Sequence, residues 1–353
     1  MRIVVAMSGG VDSSVAAALL AEQGHEVIGV SMQLYDQSEG QTSFGTCCTI
    51  DDLYDARRVA AAIGIPHYIV NFESRFDEQV VSNFIKEYSA GRTPIPCSHC
   101  NSDVKFATLL DRAVGYGAER LATGHYARIE PRPDGTFLLR RGADIAKDQT
   151  YFLFSLTQVQ LGRALFPVGH FDKGEVREHA RRLQLRVAAK PDSQEICFVP
   201  DGDYATFIEK AAPELKKSGA VVNQAGDVVG GHGGVHRFTI GQRKGLGLSL
   251  KEPLYVLAIR PETAQVVVGP REALGRAALT ASQVNWVSGI PVQEWTGVHA
   301  QIRHRHLAAA ARVREIDTAR VEVEFDEPQS AITPGQSVVF YDGDICLGGG
   351  WID

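Results

Sequence analysis

Residues 7–14 read Met-Ser-Gly-Gly-Val-Asp-Ser-Ser, directly after the apolar run Ile3-Val4-Val5-Ala6. Where a strand hands over to a helix, successive backbone N–H groups and the positive end of the helix dipole form a cradle for an anion. Gly9 and Gly10 let the backbone approach a phosphate closely, and Ser8, Ser13 and Ser14 add hydroxyl donors. Asp12 is placed either to hold a magnesium ion that bridges phosphates or to cap the helix. No Gly-Lys-Ser/Thr follows, so this is not a Walker loop, and it is not a dinucleotide fingerprint. A second chemistry lies in Cys97-Ser98-His99-Cys100-Asn101, a Pro-rich stretch just before an expected helix, and in Cys197. A thiol near a helix N-terminus tends toward thiolate. Taken alone, the C-x-x-C pair fits a redox pair, half of a zinc site, or coincidence. A full cysteine zinc site wants a second close pair, and the adjacent Cys47-Cys48 make a poor chelate. Cys346 reads as a small buried apolar residue.

These groups need elements to hold them. Residues 2–7 read as a buried strand, 13–23 as a helix closed by Gly24, and 26–32 as a second strand. A helix is expected over 51–63, ended by Gly64-Ile65-Pro66, then a strand over 67–72, a helix over 102–114, a strand over 120–123 and a helix over 173–184. Strands alternating with helices predict an α/β unit with a parallel sheet covered on both faces. Residues 219–248 are rich in Gly and Val and lack a helical period. Residues 254–269 read as a hairpin turning at Pro261-Glu262-Thr263, and 298–303, 310–316, 320–325 and 336–341 alternate apolar and polar residues. The expected organisation is therefore a parallel-sheet domain over 1–200, a small, mainly β linking domain over 201–275 and a C-terminal β-barrel over 276–353.

Composition fits this picture. A chain of 353 residues exceeds what one core usually organises. Six cysteines do not make a disulfide scaffold at this length. A net charge of −6 argues against a generally basic nucleic-acid binder but leaves room for a local basic surface. No apolar run is long enough to span a bilayer, and Met1-Arg2 leads into a strand-like run without a secretory pattern, so a cytoplasmic protein with no membrane association is expected.

The Ser8–Ser13 stretch resembles the PP-loop of ATP pyrophosphatases, Ser-Gly-Gly-x-Asp-Ser, enzymes of the adenine nucleotide alpha hydrolase-like group that adenylate a substrate oxygen. Further segments resemble the bacterial tRNA-specific 2-thiouridylases. They are Cys47-Cys48 with Asp55–Ala60, Gly64–Phe72, Cys100-Asn101 with Lys105-Phe106, and Ala122–Arg128. Lys147–Leu153, Ile196-Cys197-Phe198, Gly241–Gly247 and Thr333–Ser337 complete the set, which runs nearly the whole chain in order. The resemblance implies ATP contacts from Ala6, Met7, Ser8, Gly9, Gly10, Val11, Asp12, Ser13, Met32 and Gly124, with Mg2+ as co-reactant. It implies tRNA contacts from His125, Lys147, Asp148, Gln149, Arg303, His304 and Gln336. Without the resemblance, Met32 reads as core packing, Arg303–His306 as a solvated strand end, and the Arg177, Arg181, Arg182 helix face as solvated surface.

The implied reaction is ATP-dependent 2-thiolation of the wobble uridine (position 34) of tRNA, a sulfurtransferase activity. Adenylation of the uracil 2-oxygen creates a leaving group, and sulfur then replaces it. Cys197 is implied as the persulfide carrier and Cys100 as the partner that closes a disulfide with it. Implied partners are the tRNAs for lysine, glutamate and glutamine, and a cysteine desulfurase or sulfur-relay protein. The commoner family pattern has an acidic residue three positions before the first catalytic cysteine; here that residue is Cys97. Cys97, Cys100 and Cys197 are therefore candidate ligands of a 4Fe–4S cluster that would bind hydrosulfide, an alternative to the persulfide route. Two other functions stay in view. Another PP-loop adenylating ligase would need no cysteine pair beside the loop, and a non-catalytic RNA-binding protein would need neither an intact loop nor both cysteines.

Overall fold

The computed structural model describes residues 1–35, 50–192, 196–199, 202–248, 252–290 and 293–353 of the chain. The first half holds seven strands: β1 (Arg2–Ala6), β2 (Glu26–Gln33), β3 (His67–Asn71), β4 (Arg120–Ala122), β5 (Ala127–Pro131), β6 (Phe137–Arg141) and β7 (Ala164–Leu165). Five of them form one parallel sheet in the order β3-β2-β1-β4-β7. Successive side chains of a strand point to opposite faces, and β1 shows it. Ile3 and Val5 join α1 (Val11–Glu22), α2 (Ile50–Ala62) and the 173–182 helix in one apolar layer. Val4 faces the opposite layer, with Phe76, Phe84, Val104 and Leu109. Both faces are covered, so the strand is apolar from Ile3 onward.

The central unit contains β8 (Gly219–Val222), β9 (Val228–His232), β10 (Tyr255–Arg260) and β11 (Gln265–Gly269), in the order β10-β11-β8-β9. The expected turn at Pro261–Thr263 is present, with Ala264 in the left-handed region at φ 49°. The unit has its own core of Val221, Phe238, Val256, Val266 and Val268.

Six antiparallel strands follow: β12 (Gly275–Trp286), β13 (Glu294–Gln301), β14 (Ala309–Asp317), β15 (Arg320–Ser330), β16 (Ser337–Asp342) and β17 (Ile345–Ile352). They run in the order β12-β15-β14-β13-β16-β17, and β12 also pairs with β17, closing the barrel. The sequence pattern had not shown β12. Its register shifts between Arg276 and Ala278 and again between Ser282 and Asn285, with Gln283 at φ 50°. Bulges of this kind destroy the two-residue alternation on which strand recognition rests.

The antiparallel hairpin β5–β6 is also absent from the expected elements. It leaves the parallel sheet and joins the barrel, where Leu139 and Arg140 pair with Cys346 and Ile345. Arg128 and Arg140 both reach Asp344, at 2.9 and 2.6 Å. Beneath this junction Leu139, Phe154, Val339, Tyr341 and Cys346 belong to the same apolar cluster as Val4 and Phe84. The helix expected at 102–114 begins earlier, at Pro96. It is α-helical over Pro96–His99, π-helical over Cys100–Leu109 and α-helical again over Leu110–Gly115. Proline at the first helical position loses no hydrogen bond and brings a suitable φ, so the prolines that read as a loop instead start the helix. Among the described residues, no helix is long and apolar enough to cross a membrane.

Candidate active site

The loop between β1 and α1 is held by its own side chains. Ser13 Oγ accepts from the Ser8 amide at 3.1 Å, and the Ser14 hydroxyl donates to the Gly10 carbonyl at 2.8 Å. Gly9 lies at φ 74°, and a Cβ there would fall 2.1 Å from the Asp52 carbonyl oxygen at the start of α2. The loop therefore demands glycine at this point twice over, by conformation and by contact. Gly10 caps α1 through backbone alone, without a side-chain cap. The Lys190 ammonium clamps the rear of the loop. It donates to the Gly9 carbonyl at 3.1 Å and to Asp52 and Asp55 at 2.6 and 2.7 Å. Burial opposes its charge, but the two carboxylates outweigh burial and hold its pKa above the usual lysine value.

Val11 and Met7 are buried core residues beside this loop, and Ala6 ends β1. Met32 is 7% exposed and packs in the cluster of Val30, Leu34 and Phe72. At Gly124 a Cβ would lie 2.5 Å from the Ser13 amide nitrogen and 2.6 Å from the Asp12 carbonyl carbon. The close approach that requires glycine here is thus to the first turn of α1.

Asp12 does not cap the helix. Its Oδ1 accepts from the Tyr126 hydroxyl at 2.7 Å, and both its oxygens accept from Lys173 Nζ, at 2.8 and 2.9 Å. Burial first, and then the Asp12 charge, raise the Tyr126 phenol well above its ordinary pKa, so it is a donor. Lys173 also pairs with Asp192 at 2.8 Å, and Asp192 in turn receives Lys147 at 2.7 Å and Arg177 at 3.4 Å. Burial works against the Asp192 carboxylate, but Lys147 and Lys173 outweigh it and hold its pKa below the usual range. Arg177, read from sequence as solvated surface, instead donates to the carbonyls of Ala188 and Lys190. Tyr126, Lys173, Lys190 and Asp192 were not singled out from the sequence. Tyr126 did lie inside a motif that was, but nothing local marks a residue whose partner is far along the chain.

Cys97 is exposed in the first turn of the Pro96 helix, and Cys100 is buried one turn later. Cys197 is half-buried and packs against the same apolar cluster that contains Cys100. Its segment is pinned by Phe198, whose ring meets Phe76 and Phe84 edge-on at 5.5 and 5.2 Å. Among the described residues, no group of three or more His, Cys, Asp or Glu is placed to hold a metal ion. Cys47 and Cys48 lie outside the described residues. Cys346 is fully buried on β17, and burial pushes its thiol up to about 12.

The helix of Cys100 is tied to its surroundings by polar contacts. Asn101 Nδ2 donates to the Phe152 carbonyl at 3.1 Å, and Lys105 donates to Asn101 at 3.0 Å. His99 stacks flat on Trp351 of β17, with ring centroids 4.3 Å apart. His125 is 9% exposed, its Nδ1 is 2.7 Å from the Thr123 hydroxyl, and its ring sits near Phe106 and Phe166. Burial, followed by the nearby Lys105 charge, places its pKa well below the ordinary value, so it is neutral.

Two segments expected to contact RNA are brought together. Asp148 is buried and accepts from Arg141 at 2.7 Å and from the Thr150 hydroxyl at 2.8 Å. Arg141 also donates to Gln301 at 3.2 Å, and Gln301 donates to the carbonyls of Arg303 and His304 at 3.0 and 2.7 Å. The exposed His304 ring rests on Phe152 at 4.4 Å. Gln149 is engaged with Tyr126, accepting from its amide at 2.9 Å. Gln336 lies apart from them and donates to the Thr93 carbonyl at 2.8 Å, three residues before the helix of the cysteines.

Known proteins match this arrangement along its whole length. Residues 1–201 match the family described as the tRNA methyl transferase HUP domain, 205–270 its PRC-barrel domain and 276–352 the aminomethyltransferase beta-barrel domain. A tRNA-specific 2-thiouridylase of Solibacter usitatus is 55% identical over 99% of both chains. Those of Geotalea uraniireducens and Geobacter metallireducens are 52% and 54% identical over all of this chain and 95% and 96% of their own. The family description speaks of methyl transfer, whereas the relatives that match end to end are named for thiolation. The relatives that match end to end share one name, and this chain belongs to the tRNA-specific 2-thiouridylase family.

Proposed function

We propose that the protein replaces the 2-oxygen of the wobble uridine (position 34) of tRNA with sulfur, at the expense of ATP. The observation that carries this reading is the pairing of the glycine loop at Ser8–Ser13 with Cys100 and Cys197, which share one apolar cluster in the same domain. ATP would lie along Ala6–Ser13, beside Met32 and Gly124. Mg2+, which keeps several waters and takes most of its other ligands from phosphates, would use Asp12. It would neutralise charge on the leaving pyrophosphate.

The uracil oxygen attacks the α-phosphorus and pyrophosphate leaves. The terminal sulfur of a Cys197 persulfide then attacks C2, and AMP departs with the oxygen. Cys100, as thiolate, attacks Cys197 Sγ, freeing the thiocarbonyl and closing a Cys100–Cys197 disulfide. An external reductant reopens it. In the alternative sulfur route Cys97, Cys100 and Cys197 would hold a 4Fe–4S cluster, which would supply hydrosulfide in place of the persulfide. The target base must leave the anticodon stack to reach the cysteines. His125, Lys147–Gln149, Arg303, His304 and Gln336 are proposed as the RNA side of the site, with Lys147 and Arg303 meeting phosphates. The proposed substrates are the tRNAs for lysine, glutamate and glutamine, with sulfur from a cysteine desulfurase or relay protein.

Incubation of the protein with unmodified tRNA, ATP, Mg2+ and a persulfide donor, followed by nucleoside mass spectrometry, tests the reading. 2-Thiouridine is expected with wild-type protein. Cys197→Ser should still release pyrophosphate in the presence of tRNA yet make no 2-thiouridine. Wild-type levels of product from that variant would remove Cys197 from the mechanism.

A further inference from the structure

Four charged side chains run in an unbroken line from the segment of Lys147 to the nucleotide loop. Lys147 Nζ meets Asp192 at 2.7 Å, Asp192 meets Lys173 Nζ at 2.8 Å, and Lys173 meets both oxygens of Asp12 at 2.8 and 2.9 Å. Their side chains are 35%, 24%, 13% and 30% exposed in that order, so the line is accessible at both ends and covered in the middle. Poorly solvated charges interact more strongly and are screened less by salt than exposed ones.

We propose that Asp192 is a positioning residue that couples RNA docking at Lys147 to nucleotide binding at Asp12, acting through Lys173. This inference rests on the reading above, in which RNA phosphate meets Lys147 and ATP meets the loop. In the free protein both Asp12 oxygens are engaged by Lys173, and the Tyr126 hydroxyl donates a further bond to Oδ1. A metal–nucleotide complex must therefore compete with Lys173 for that carboxylate. Asp192 is the group that can draw Lys173 away, but Lys147 and Arg177 share its charge. An RNA phosphate that takes up Lys147 leaves Asp192 with fewer cations. Its pull on Lys173 rises, and the hold of Lys173 on Asp12 falls. Nucleotide binding should thus tighten when RNA is docked. Linkage requires the reverse effect to be equal, so nucleotide must tighten RNA binding by the same factor.

The test is the affinity of the full chain for α,β-methylene ATP with Mg2+, measured with and without a saturating unmodified transcript of the lysine tRNA. The wild-type protein is expected to bind the analogue about 5-fold or more tightly with tRNA present, the lower end of ordinary coupling between sites. Asp192→Asn should bring that factor close to one, and so should Lys147→Met, which removes the cation that RNA would otherwise take from Asp192. A general loosening of the fold would shift both affinities and leave their ratio in place, so the ratio separates coupling from structural damage. If Asp192→Asn does not fold, Lys147→Met still decides. A wild-type factor of one, or variants that keep the wild-type factor, would overturn the coupling while leaving the thiolation reading intact. A wild-type protein that binds neither analogue nor tRNA would overturn both.

Discussion

The stretch Ser8–Ser14 closes largely on itself, through bonds from Ser8 to Ser13 and from Ser14 to Gly10 within seven residues. The surface carrying Lys147, Gln149, Arg303 and His304 is assembled differently. Arg141 bonds Asp148 nearby and Gln301 160 residues away, and Gln301 then fixes the backbone of 303 and 304. One region takes its shape mainly from local chain geometry, with Lys190 bracing it from behind, and the other from buried polar contacts between distant segments. Damage to the first should therefore abolish chemistry without dissolving the fold, whereas damage to the second should loosen the fold and RNA binding together.

The largest effect is expected at Asp12. Asp12→Ala removes the proposed metal carboxylate while Lys173 keeps Asp192. Pyrophosphate release should fall by at least about 100-fold, the scale on which transition-state charge stabilisation is lost, with the circular dichroism spectrum preserved. Normal turnover would break the comparison at its first term. Arg141→Met comes next. It leaves Asp148, with a side chain 4% exposed, without its ion partner, and breaking such a pair costs about 3 kcal/mol. Urea unfolding should show that loss, tRNA binding should weaken, and affinity for the nucleotide analogue should stay within about 2-fold, well under one tenfold step. Equal losses at both ligands would mean the two regions are not separable.

Gly124→Ala sharpens the contrast, because its Cβ would enter the first turn of α1. Overpacking of this kind costs about 1–3 kcal/mol. Here stability and nucleotide affinity should fall together, since the contact is with the loop's own backbone. The smallest effect is expected for Arg303→Ala. It should lower the slope of log affinity for tRNA against log salt by about one phosphate's worth, with stability unchanged. An unaltered slope would return Arg303 to plain solvated surface.

The same contrast explains what could be read in advance. The loop announced itself because its determinants, Gly9, Gly10, Asp12 and Ser13, are adjacent. The parallel sheet did so because β1 and β2 are each followed by an α-helix, α1 and α2. Lys173 and Lys190 stayed silent, since each reaches a carboxylate at the loop more than a hundred residues away, Asp12 and Asp52 respectively. Arg177 was misread for the same reason in milder form: a charged residue on an exposed helix face reads as solvated until the backbone carbonyls beside it are known. Strand β12 was hidden by its bulges. The hairpin β5–β6 was hidden because its reason for existing, the edge of β17, lies two hundred residues downstream. Periodicity reports how a segment meets its immediate surroundings, not which distant segment supplies them.

That hairpin has a consequence for how the chain can be divided. The barrel looks like a module that could be removed, yet β17 covers the edge of β6, and Leu139, Tyr341 and Cys346 fill one interior. A protein cut before Gly275 would keep its loop and both candidate cysteines. It would also present an unpaired strand edge with a bare apolar flank, a combination that recruits other chains. Such a fragment should precipitate or self-associate instead of surviving as a small ATPase. New arrangements of this protein are therefore constrained to keep its first and last portions together, and insertions should be tolerated best at exposed turns such as Gly226 between β8 and β9, away from that seam.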